Sequence, residues 1–362
     1  MPDRARKRPL IVPLFIPNQG CPYRCVYCRQ EDITGRQDQL LDASEVEGIL
    51  TRAAQSHRFD AAASPEIAFY GGTFTGLPEE TLRELLEAAY RFVKNGKFES
   101  IRVSTRPDAL NPEVLSFMRS HGVTLVELGV QSLNEEVLRN TQRGYKPEQV
   151  EEAVERLRHH GFRVGAQLMP GLPGDNEERF FKTVRRVADL RFALVRLYPT
   201  VVLRGTVLAA WYRDGRYRPF SLDRAVALCA RSCAYLEARG IPVIRMGLQG
   251  SPTLERPGEI LAGPWHPAFG FLVRTRLYQE RLACLLAGAE RAKCVRIRVH
   301  PRDVPLVRGH RNRSLRELER RVRSGCVEIV PDKTRVPGRP VVESWDGKDP
   351  VTGVECAEGK AG

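Results

Sequence analysis

LIVPLFIPNQGCPYRCVYC, residues 10–28, is the stretch from which the rest of the chain can be read. Leu10–Ile16 is an apolar run closed by a proline and polar residues, which reads as a strand. Directly after it come Cys21, Cys25 and Cys28 in the spacing C-x3-C-x2-C. Working outward, similar runs recur at Glu66–Tyr70, Ile101–Ser104, Leu125–Val130, Phe162–Leu168 and Ala193–Tyr198. Between them lie helix signals. Ser44 with Glu47 reads as a capping box; Pro78-Glu79-Glu80 opens a helix with Leu82, Leu85, Leu86, Ala89 and Phe92 at helical spacing; Asn111-Pro112 is a cap with a first-turn proline; Val150, Ala153, Val154 and Leu157 form an apolar stripe ended by Gly161.

Six strand-then-helix units argue for a parallel sheet with helical crossovers. A closed barrel takes eight units and about 250 residues, whereas these six occupy the first 200. The expected fold is therefore α/β, a partial (β/α)6 barrel with an open side and a C-terminal α+β extension; a doubly wound open sheet is the alternative. The expected division is a barrel over 1–205, a helical and loop extension over 206–290, a small basic α+β element over 291–345 and a disordered tail over 346–362. Leu222–Gly240 and Phe271–Ala289 read as helices, Val295–Val299 as an alternating strand and Leu315–Arg323 as an Arg-rich helix.

An apolar fraction of 42% in 362 residues supports a buried core. No apolar run approaches the roughly 20 residues that span a bilayer. The basic N-terminus followed by Leu10–Phe15 lacks a signal-peptide cleavage site, so the cytoplasm is the expected location and a membrane is not an expected partner. In a reducing compartment, clustered cysteines point to metal binding or catalysis rather than disulfides. The net charge of +13 would attract a polyanion such as RNA; an Arg-rich composition with solvated faces is the other account.

Three thiolates can hold three irons of a four-iron, four-sulfur cluster, a type of site normally completed by a fourth cysteine. None lies nearby, which leaves one iron for a small molecule such as S-adenosylmethionine (SAM). Structural zinc sites bring two spaced ligand pairs, and that pattern is missing. Cys229 and Cys233, four apart, read as packed thiols on one helix face; Cys284, Cys294, Cys326 and Cys356 are isolated and have no assigned role. The other strand ends carry polar residues that are costly unless paired or bound: Gly71-Gly72-Thr73, Ser104 to Asp108, Gln131-Ser132, and Gln167 before Met169–Pro173. Arg143 follows, a carboxylate-binding candidate.

Together these motifs resemble the radical SAM superfamily over about residues 8–200. The resemblance implies a [4Fe-4S] cluster on Cys21, Cys25 and Cys28, SAM as the second cofactor and a one-electron donor protein as partner. It places Gly71, Gly72 and Thr73 against the SAM methionine moiety, Gln131 at the ribose and Arg143 at the carboxylate. Tyr27, Ser132 and Gln167 complete the expected SAM contacts. Ser104 falls where coproporphyrinogen dehydrogenases carry a glutamate. Within the superfamily, Glu127–Ser132, Arg143-Gly144, Gln167–Pro173 and Tyr198–Thr206, continued by Trp211, Gly215, Tyr217 and Pro219, resemble the catalytic subunit of Elongator and its bacterial relatives. Those proteins modify wobble uridines of tRNA with SAM and acetyl-CoA. They differ in a longer cysteine spacing and an acetyltransferase domain, for which too few residues follow Ala289.

The leading expectation is a radical SAM enzyme acting on tRNA, with Arg291–Arg323 and also Arg106, Arg196, Arg204 and Arg274 as phosphate contacts. The alternatives are a coproporphyrinogen-dehydrogenase-like enzyme and a non-catalytic Fe–S or RNA-binding protein.

Overall fold

The structure is a computed structural model that describes residues 8–30, 41–60, 62–286, 294–322, 326–345 and 351–354. The chain divides into two units, residues 1–222 with 241–267 and residues 223–240 with 268–362. Residues 206–290, expected as one extension, are thus shared between the two.

The first unit is built on a seven-stranded parallel sheet in chain order: β1 (Arg8–Ile16), β2 (Ala62–Gly71), β3 (Ser100–Thr105), β4 (Val123–Gln131), β5 (Arg163–Leu168), β6 (Leu194–Leu197) and β8 (Val243–Met246). A doubly wound sheet reverses its strand order at a switch point. This order never reverses, so the sheet curls into a half-barrel. All six expected strands are present. The seventh, β8, is four residues long, follows Pro242 and keeps Ile244 42% exposed at the edge, so it lacks the apolar pattern that marks the others. A short pair, β7 (Val202–Leu203) with β9 (Ile260–Ala262), is antiparallel.

The crossover helices obey their sequence signals, with one shift. Helix α1 (Ala43–Ala54) is capped by Asp42, not Ser44: the Asp42 carboxylate accepts from Glu45 N at 2.8 Å, and Glu45 accepts from Asp42 N. Helix α2 (Glu79–Lys94) buries Leu82, Leu85, Leu86 and Ala89. Asn111 caps α3 (Pro112–Ser120) at 2.8 Å. Next come α4 (Glu135–Asn140), α5 (Pro147–His159), α6 (Glu177–Asp189) and α7 (Val207–Arg213). No described helix is long and apolar enough to cross a membrane.

The second unit takes α8 (Leu222–Glu237), α9 (Phe269–Leu286), β10 (Cys294–Val299), α10 (Val304–Arg308), α11 (Arg313–Arg321), β11 (Val327–Pro331), β12 (Val341–Trp345) and β13 (Val351–Val354). Its sheet runs β11-β10-β12-β13. Val295, Ile297 and Val299 face a core with Leu282, Val307 and Leu318, as alternation in β10 requires. Cys229 and Cys233 are buried on α8. Cys294 and Cys326, expected to stand alone, form a disulfide between the ends of neighbouring parallel strands; a separation of 32 residues hides such a pair in sequence. The expected tail lies outside the described residues except for β13, which extends the sheet.

Candidate active site

The C-terminal strand ends of the first unit surround a cavity of about 430 Å³. Every expected site residue except Ser132 lines it: Cys21, Tyr27, Cys25 and Cys28 after β1, Gly71, Gly72 and Thr73 after β2, Gln131 on β4, Gln167 on β5, and Arg143.

The cysteine loop is fixed from three sides. Gly72 N donates to Ile16 O at 2.8 Å and Thr73 N to Gln19 O at 2.7 Å. Val26, 1% exposed, donates its N–H to Thr141 O and accepts from Leu208 N at the start of α7. Space explains the glycine pair: a Cβ on Gly72 would lie 2.0 Å from Gln19 O, and Gly71 takes φ +109°. The glycines bring the second strand end against the cysteine loop, which accounts for them as protein packing.

The thiols have different surroundings. Cys21 Sγ lies 3.2 Å from Thr73 Oγ1, and Cys28 Sγ is 3.9 Å from Asn18 Oδ1. Cys25, 8% exposed, accepts from Arg143 Nη1 at 3.0 Å. Burial pushes the Cys21 thiol pKa up, while the Thr73 hydroxyl, Arg106 and Arg143 pull it down. Among the described residues no three His, Cys, Asp or Glu side chains converge on one ion. Of the described residues, neither a fourth cysteine nor a histidine lines the cavity. Three unbridged thiols around one cavity are the donor set that a cluster with one open iron would use.

Arg143 is held tightly. Besides Cys25 it donates to Tyr145 Oη at 3.0 Å, Gly129 O at 2.7 Å and Tyr27 Oη at 3.5 Å. Burial opposes its charge, but Tyr145, Tyr27 and Cys25 outweigh that and push its pKa up. Burial raises the Tyr27 phenol well above its usual range. Gln131 adopts a left-handed φ of +61° where the β4–β5 register shifts, and its Oε1 accepts from Gln167 Nε2 at 3.4 Å. The two glutamines therefore meet in the cavity. Ser132, next in the chain, turns away: its hydroxyl meets Thr183 on α6 at 3.4 Å and accepts from Asn134 N.

A charged network that reaches the cavity wall at Tyr70, Glu127 and Tyr198 was not anticipated. Glu127 accepts from Tyr70 Oη at 3.0 Å and pairs with Arg102 at 3.3 Å and Arg196 at 2.6 Å; Arg196 also donates to Tyr198 Oη at 3.1 Å. Arg102 pairs in turn with Glu66. Burial, then Glu127, pushes the Tyr70 phenol far up. The signal was present, since Glu66, Arg102, Glu127 and Arg196 are charged residues inside apolar strands. Arg106, 3% exposed, is held by Asp108 at 2.9 and 2.7 Å between the rings of Tyr23 and Tyr145. Arg204 bonds Gly258 O at 2.7 Å, and Arg274, in the second unit, pairs with Glu237 at 2.8 Å. The four arginines expected to meet phosphate are thus engaged within the protein.

The radical SAM superfamily description matches residues 15–187, and the radical SAM C-terminal domain matches residues 192–279. The chain is 35% identical over 189 residues to Elongator complex protein 3 of Homo sapiens, covering 47% of this chain and 35% of that protein. It is 30% identical over 251 residues to tRNA uridine(34) acetyltransferase of Dehalococcoides mccartyi, covering 58% and 52%. The chain thus spans between about a third and a half of the curated relatives it matches. The fold of archaeal Methanocaldococcus infernus Elp3 with N-terminus deletion (1-46) superposes with a TM-score of 0.59 at 19% identity, covering 93% of this chain and 74% of that one. With a half-barrel, three cysteines after its first strand and both domain matches in register, the chain belongs to the radical SAM superfamily.

Proposed function

We propose that this chain is an enzyme that holds a [4Fe-4S] cluster and SAM in the strand-end cavity and acts on tRNA. The carrying observation is the convergence of Cys21, Cys25 and Cys28 with Gly71–Thr73, Gln131, Arg143 and Gln167 around one cavity of about 430 Å³, within the usual size range of small-molecule sites. When bound, the cofactor pair supplies reductive cleavage of the SAM C–S bond to a 5′-deoxyadenosyl radical.

In this reading the three thiols ligate three irons. Backbone groups of Gly71–Thr73 orient the SAM amino group, and the cation of Arg143 balances negative charge beside Cys25. The Gln131–Gln167 amide pair offers donors and acceptors to a ribose. Tyr198, which lines the cavity and whose oxygen accepts from Arg196, offers its O–H to a substrate. The tRNA assignment rests on the relative whose name carries it, tRNA uridine(34) acetyltransferase, and on the +13 charge. The three cavity thiols are outside any disulfide while Cys294 and Cys326 are bridged; a cluster that needs reduced thiols and an electron-donor protein fits the cytoplasm.

The test is the mass spectrum of bulk tRNA nucleosides after anaerobic incubation with the reconstituted protein, SAM and dithionite. A new nucleoside mass, together with 5′-deoxyadenosine that rises when tRNA is added, is the expected result. 5′-Deoxyadenosine indifferent to tRNA would remove the tRNA half of the proposal.

A further inference from the structure

The arginines of the second unit fall into two groups. On the sheet, Arg296 lies 2.8 Å from Glu328, and Arg298 lies 3.0 Å from Glu343 and 3.7 Å from Asp332. On α9, Arg276 pairs with Glu280 at 2.7 Å. Between residues 302 and 321 this matching stops. Arg302, Arg308 and Arg311, and on α11 Arg313, Arg316, Arg320 and Arg321, are all exposed. The acids in that span are Asp303, buried and accepting from Gly338 N at 2.6 Å, Glu317, which is 3.6 Å from Arg321, and Glu319. No carboxylate among the described residues pairs with Arg313, Arg316 or Arg320; Arg316 donates to Arg311 O at 2.8 Å and Asn312 O at 3.4 Å, neutral acceptors that leave its charge unbalanced.

Helical geometry gathers these three. Ser314, Leu318 and Val322 repeat every four residues and are buried, so Arg313, Arg316 and Arg320 share the opposite face along about 10 Å of helix. Like charges on adjacent turns repel, and a sequence that merely favoured arginine would leave the sheet arginines equally unmatched. We infer that the α10–α11 surface docks the phosphate backbone of RNA, an inference that rests on the tRNA reading above. Guanidinium forks match phosphate oxygens in pairs. A membrane-binding basic helix also presents aromatic or apolar side chains, and protein interfaces are rich in aromatics. Here the apolar face of α11 is spent on the core, and none of the large exposed hydrophobics falls between 302 and 321.

The test is fluorescence anisotropy of labelled unfractionated tRNA with the full, cluster-loaded chain across a KCl series. The triple variant R313Q/R316Q/R320Q is compared with R276Q, which removes an arginine that already has a partner. Loss of three phosphate contacts lowers the slope of log K against log salt by about 2 to 3 and weakens binding by about 10-fold or more at low salt. R276Q stays at wild type, and iron content, SAM affinity and thermal midpoint do not change in either variant. An unchanged slope and affinity in the triple variant, with tRNA still raising 5′-deoxyadenosine, would overturn this surface and leave the tRNA reading standing. A loss in R276Q equal per charge removed would overturn it as a general charge effect. Phosphatidylglycerol vesicles bound by wild type and released by the triple variant, with tRNA binding intact, would replace RNA by a membrane. Wild type that binds no tRNA would sink the surface and the tRNA reading together.

Discussion

Arg143 shows how one residue joins the two halves of the cavity. Its planar group reaches Cys25, Tyr145 and the Gly129 carbonyl at once, which a lysine ammonium cannot do. Arg143→Lys keeps the charge and loses the fork. Expected are SAM binding at least about 10-fold weaker and an unfolding free energy lower by about 1–3 kcal/mol from the buried acceptors left open, read by equilibrium binding and urea unfolding; unchanged values in both would contradict the role. Asp175 sets a pH dependence. It closes the Met169–Pro173 loop by accepting from Gly171 N and Asn176 N, each at 2.9 Å, and burial pushes its carboxyl from 3.8 to about 6. The folded chain therefore binds the extra proton between about pH 4 and 6. That contribution is present at low pH and is lost as pH rises through about 6. In urea unfolding, wild type should lose more stability between pH 5 and pH 7 than Asp175→Asn does.

At the scale of elements, patterns that depend on near neighbours were legible and those that depend on distant partners were not. Apolar runs bounded by turn residues marked β1 to β6, because each strand carries its own signal. The cysteine spacing, the glycine pair and Gln131 marked the cavity, because each follows directly on a strand. β8 escaped, since an edge strand of four residues needs no apolar alternation. Ser132 was misplaced because the left-handed turn at Gln131 redirects the next side chain into α6. The alpha-carbon path alone would not reveal the Glu66–Arg102–Glu127–Arg196 chain, which joins β2, β3, β4 and β6 through side chains. Glu127 balances two buried arginines, so Glu127→Gln should lower the unfolding free energy by about 3–5 kcal/mol. A urea midpoint equal to wild type would show that the network contributes nothing to the sheet.

Over the whole molecule, eight of the nine cysteines are among the described residues: three around the cavity, two buried on α8, two in the Cys294–Cys326 bridge and Cys284 exposed on α9. Nine less the bridged pair leaves seven, so thiol titration of the denatured, cluster-free chain prepared without reductant should count seven. Nine would mean the bridge is open. Whether the three thiols at the cavity support SAM cleavage is read from production of 5′-deoxyadenosine. The reconstituted chain is incubated anaerobically with SAM and dithionite, beside Cys25→Ala, with iron and sulfide measured on both. 5′-Deoxyadenosine is expected from the wild-type chain and none from the variant. A wild-type chain that carries its full cluster and yields none would contradict it.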